Sequence, residues 1–69
     1  MYTVTALDHH GRTKPLNTWL SGQLAVDSIK SYAKQLGHTY RDLFIEDSAG
    51  DIVYIASSDL ACADALARS

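Results

Sequence analysis

Apolar side chains recur at helical spacing most clearly between Ser21 and Gly37 (SGQLAVDSIKSYAKQLG). At about 100° per residue, Ala25, Val26, Ile29, Tyr32, Ala33 and Leu36 fall within about a third of the circumference. Asp27, Ser28, Lys30, Ser31, Lys34 and Gln35 occupy the remainder. The pattern predicts an amphipathic helix, with Ser21 as N-cap and Gly37 as the left-handed stop. Asp27 in its first half and Lys30 and Lys34 in its second suit the helix dipole.

On either side of this helix the period falls to two. Tyr2 to Leu7 alternates Tyr2, Val4 and Ala6 against Thr3, Thr5 and Leu7, and its threonines favour a strand. Arg12 to Leu20 is a weaker strand with Leu16, Thr18 and Leu20 on one face and Asn17 and Trp19 on the other. Pro15 cannot donate to a ladder, so this strand belongs at an edge or pairs over only half its length. Tyr40 to Asp47 (YRDLFIED) sets Leu43 and Ile45 against Phe44 and Glu46. Ile52 to Ala56 (IVYIA) sets Ile52, Tyr54 and Ala56 against Val53 and Ile55. The connections Asp8-His9-His10-Gly11 and Asp47-Ser48-Ala49-Gly50 share an Asp-x-x-Gly pattern. Asp opens a type I turn and Gly takes the left-handed position behind it. Finally, Ser57-Ser58-Asp59 offers a cap to Leu60–Arg68 (LACADALAR), an alanine-rich segment predicted to be a short C-terminal helix.

The expected fold is therefore α+β: one domain over residues 1–69, a small antiparallel sheet in ββαββ order with a short C-terminal helix. Its sheet is apolar on both sides, unlike a sheet with one solvated face. One helix covers one face. The other, with Trp19, Phe44, Val53 and Ile55, calls for the C-terminal helix, a second subunit or a partner, unless Phe44 and Trp19 are lone exposed aromatics.

Composition sharpens this expectation. The apolar fraction is 46%, but nine of those residues are alanines, each adding little buried area. A chain of this length buries only about 60% of the surface its unfolded form exposes, so self-association would stabilise it. Phe44, Val53, Ile55, Leu60 and Leu66 are the candidate homodimer interface. The single cysteine, Cys62, excludes an internal disulfide framework. Neither a secretory signal nor a membrane-length apolar run is present, so the expectation is a cytoplasmic protein. A net charge of −2 gives no general attraction to nucleic acid or anionic lipid.

Candidate chemistry is sparse. His9 and His10 are adjacent in a turn and unsuited to sharing one metal, and neither His38 nor Cys62 completes a ligand spacing. No metal or other cofactor is expected. Cys62 lies in an alanine-rich segment, where a small buried thiol is the ordinary explanation. Glu46, Asp47 and Asp51 flank a hairpin tip and read as turn formers and edge charges. The four glycines all have turn or cap roles, leaving none to cradle a phosphate. No catalytic activity is expected.

Aromatic anchors remain. Trp19, Tyr40 and Phe44 can fill a partner's pockets, since interface energy concentrates in such residues. With Asp42, Glu46, Asp47 and Asp51 they form the candidate partner-binding set. The alternative is a nucleic-acid platform in which the same aromatics stack bases, helped by Arg12, Lys14 and Arg41; Asp42 and Glu46 beside Phe44 oppose it. In size, acidity and hairpin–helix–hairpin plan, the chain is similar to small host-directed proteins of phages and mobile elements, including some anti-CRISPR inhibitors. That similarity is one of format, without a shared motif. It implies a partner-blocking role, with the acidic residues occupying a nucleic-acid-binding groove. The functional expectation is a non-catalytic protein-binding module that is a homodimer and binds a protein partner.

Overall fold

Two hairpins and one helix make up most of the regular structure among the described residues. A computed structural model describes residues 1–36 and 39–59, without the side chain of Leu36. Its elements are β1 (Tyr2–Leu7), β2 (Thr13–Trp19), α1 (Gly22–Leu36), β3 (Asp42–Glu46) and β4 (Ile52–Ile55). A 3-10 turn, Ala56–Ser58, follows β4. The architecture is α+β, a four-stranded antiparallel sheet with one helix among the described residues. The C-terminal helix expected over residues 60–68 and the Gly37 stop lie outside the described residues.

The spatial order is β2-β1-β3-β4, so the first strand becomes central and α1 carries the chain across to the far side of the sheet. Pro15 sits on an edge strand, where its missing N–H costs least. Both hairpins close with the same chemistry. In the first, Asp8 N–H donates to Arg12 O at 2.9 Å and Gly11 N–H to Asp8 O at 3.3 Å. Asp8 Oδ1 accepts from the backbone of His10 at 2.8 Å and of Arg12 at 2.9 Å. In the second, Asp47 Oδ1 accepts from Ala49 at 2.9 Å and Asp51 at 3.0 Å. Gly11 and Gly50 have φ of 81° and 85°, which a residue with a Cβ adopts only under strain.

The helix buries the face that its periodicity marks. Ala25, Ile29 and Ala33 are buried, while Val26 and Tyr32 flank them half-exposed. They meet Val4 and Ala6 from β1 and Leu43 and Ile45 from β3, with Ala56 completing the cluster. Alanines on both layers permit close approach of helix and sheet, but they also thin the core. Only Ile29, Leu43, Ile45 and Val4 are large and fully buried among the described residues. Each such side chain contributes about 1.5–3 kcal/mol on burial. Ser21 O accepts Ala25 N–H at 3.1 Å, as expected of the residue preceding the helix.

Candidate interaction surfaces

Which side chains face the helix follows from the ladder register, and here one expectation fails. Val4 pairs with Asn17 but Thr5 pairs with Pro15, so Leu16 is an additional residue in β2. A bulge of this kind reverses the alternation along the strand. Trp19, opposite Tyr2, therefore turns toward the helix, and both it and Leu16 pack against the core. The expected opposition of Leu16 to Trp19 does not hold. Nor does Leu20 share the buried face, for it is 81% exposed just beyond the strand. A second shift lies in the last hairpin. Ile45 pairs with Tyr54 and Glu46 with Ile52, leaving Val53 as the additional residue. Ile52 is thereby moved from the expected Tyr54–Ala56 face to the side of Glu46.

The face of the sheet away from α1 follows from the paired residues. Thr5 pairs with Phe44, and Phe44 with Ile55; Thr3 pairs with Glu46, and Glu46 with Ile52. Phe44 is half-buried there, whereas Ile52 is 54% exposed, Val53 52% and Ile55 39%. Among the described residues no strand pairs with the outer side of β4. Thr5, at the centre of this face, is buried and donates its hydroxyl proton to Glu46 Oε1 at 3.1 Å. Of the expected dimer residues, Phe44, Val53 and Ile55 belong to β3 and β4 at this end of the sheet. Leu60 and Leu66 lie outside the described residues.

The expected partner-binding set does not converge on one surface. Tyr40 packs with Trp19 against the core on the helix side, while Phe44 lies on the reverse face. A single stacking platform for bases is therefore not assembled. The carboxylates are largely occupied locally. Asp42 accepts from Leu43 N–H at 2.8 Å, from Ser57 N–H at 3.1 Å and from the Ser57 hydroxyl at 2.7 Å. It thus ties β3 to the turn that follows β4. Asp47 holds its hairpin, Glu46 takes the Thr5 hydroxyl, and Asp51 is exposed.

A second concave surface escaped sequence reasoning. Between α1 and β2 lies an open groove of about 470 Å³, lined by Trp19, Leu24, Asp27, Ser28, Tyr32 and Gln35 among others. Leu24 is 49% exposed beside it. The indole N–H of Trp19 is buried and finds no hydrogen-bond partner among the described residues. Such a donor forfeits about 1–3 kcal/mol. The signal was hidden because the bulge at Leu16, rather than any motif, brings Trp19 over to the helix.

Chemistry is otherwise modest. The backbone N–H of Arg12 most strongly stabilises the ionised Asp8; desolvation opposes it, and the His10 N–H with the nearby charges of His10 and Arg12 adds to the first, so the carboxyl is held below the usual carboxylate range. His9 and His10 are exposed in that turn. No group of three His, Cys, Asp or Glu residues able to hold a metal occurs among the described residues, and His38 and Cys62 lie outside them. No helix among the described residues is long and apolar enough to cross a membrane. No family model matches the chain, and no curated protein or solved structure is significantly similar to it.

Proposed function

We propose that the protein is a non-catalytic protein-binding module that self-associates through β4 and acts by occupying a partner's surface. The observation carrying this reading is the run Ile52, Val53 and Ile55, from 39% to 54% exposed, on a strand at the sheet's edge. Isolated exposed apolar residues need no explanation, but three in a four-residue edge strand beside Phe44 form a patch that association would cover. A second copy is the occupant this edge suits. An apolar strand without proline or charge is its own complement in an antiparallel pair about a two-fold axis. The thin core gives that association a thermodynamic reason, since burying these side chains adds what the monomer lacks. Blocking a host protein, the mode of the small phage and mobile-element inhibitors whose format the chain shares, is the activity this reading implies.

The test is light scattering coupled to chromatography over a wide range of protein concentration. A dimer gives a mass twice the 7.5 kDa of the chain at high concentration, falling on dilution. A mass of 7.5 kDa at every concentration removes the self-association and leaves the patch to a different protein. The base-stacking alternative has no supporting geometry, because Trp19 and Phe44 lie on opposite sides of the sheet.

A further inference from the structure

We infer that the groove between α1 and β2 binds a basic side chain, lysine or arginine, presented by a partner protein. Its lining combines two aromatic side chains, Trp19 and Tyr32, an exposed Leu24, and one carboxylate, Asp27. Among the described residues no lysine, arginine or histidine lines it; Lys30 and Lys34 belong to α1 but stand outside the lining. Asp27 is thus the one carboxylate, and the one charged side chain, among the described residues of the groove, and it favours a cation. One oxygen of Asp27 accepts from Gln23 Nε2 at 3.0 Å, and the other accepts no hydrogen bond among the described residues. A guanidinium or ammonium brought over Trp19 and Tyr32 gains from the ring quadrupoles as well as from the carboxylate. The methylene stem of the same side chain covers apolar surface of the kind Leu24 presents. A neutral apolar side chain gains only the last of these, and an acidic one meets Asp27 with like charge.

The inference rests on the reading of the chain as a protein-binding module but not on its self-association, because β2 and β4 are opposite edges of the sheet.

Trp19 is the only tryptophan, so its indole resonance and fluorescence report on the groove without ambiguity. The experiment titrates the full chain with four blocked amino acids, the N-acetyl methylamides of lysine, arginine, norleucine and glutamate, and follows the Trp19 Nε1–H and Asp27 amide signals. Lysine and arginine derivatives should give saturable shifts in the millimolar range, and norleucine and glutamate should not. Asp27→Asn, a change at an exposed position, should weaken the basic ligands about two- to fivefold, within the range for exposed charge pairs. Equal response to norleucine, or no response to any of the four up to about 20 mM, overturns the inference. So does an undiminished response in Asp27→Asn. The oligomeric state is read in the same samples by light scattering, so failure of the groove and failure of the dimer are separate results.

Discussion

Phe44 stands opposite Ile55 across the β3–β4 ladder, on the side of the sheet that the helix leaves bare. Phe44 is half-buried, so a charge there disturbs packing as well as any interface. Ile55, at 39% exposure, is the cleaner probe. Ile55→Lys should raise the dimer dissociation constant at least about tenfold, in keeping with loss of a central apolar contact. The far-ultraviolet circular dichroism spectrum and the melting temperature extrapolated to the monomer should stay close to those of the parent. Light scattering and thermal melts on the same preparations check both halves of this expectation.

Burial separates two aliphatic residues that lie close in sequence. Leu43→Ala empties a fully buried site and should cost about 2–5 kcal/mol, enough to unfold much of a marginal domain. Ile52→Ala removes a side chain already 54% exposed and should cost less than about 1 kcal/mol in the monomer. Urea denaturation at low protein concentration distinguishes them. A loss at Ile52 that grows with protein concentration would place that residue in the interface.

Two glycines should respond to alanine in opposite directions. At Gly50, φ is 85° and no atom lies within 4 Å of an added Cβ, so the penalty is one of backbone conformation, about 1–2 kcal/mol. At Gly22 the added Cβ would meet the ring of Tyr2 at 3.6 Å, an ordinary contact, in a residue that opens the helix. Gly22→Ala should therefore stabilise the protein by about 0.5 kcal/mol through helix propensity. Paired melting curves decide both signs.

The Asp8 carboxyl is held below its ordinary value by the Arg12 and His10 amides. A depressed folded-state value means that its stabilising contribution is fully present above the unfolded-state value. It fades as pH falls through the folded-state value. The amide resonances of His10 and Arg12 should accordingly move together at a pH below the usual carboxylate range, and Asp8→Asn should abolish that step while keeping an oxygen acceptor. An NMR titration of the turn provides the check.

How much of this was legible depends on whether the information is local. The helix stripe from Ala25 to Ala33 and the paired Asp-x-x-Gly turns were, because periodicity and turn conformation are set within a few residues. The edge position of β2 was one of the two arrangements that the missing N–H of Pro15 allowed, and the strand takes it. The side on which Trp19 emerges was not legible. It depends on one additional residue at Leu16, and strict alternation has no place for such a bulge. The same holds for Ile52, turned by the irregularity at Val53. The groove was hidden for that reason. Asp42 read as a surface charge because its partners, Ser57 N–H and the Ser57 hydroxyl, are supplied by a different hairpin arm. Contacts of that kind have no signature at the sequence spacing where they occur.

The two rims of the sheet differ in a way that limits assembly. On β2, Lys14, Pro15 and the kink at Leu16 interrupt the regular row of donors and acceptors that an incoming strand would need. Growth of a continuous ribbon from copy to copy needs both rims receptive, and β4, which has its own irregularity at Val53, is the rim without proline or charge. Joined at β4, two chains would leave the obstructed rims outermost, and the stack would end there. In such a pair Pro15 would stand on the outer rim, where its missing N–H leaves a gap in the row an added strand would need.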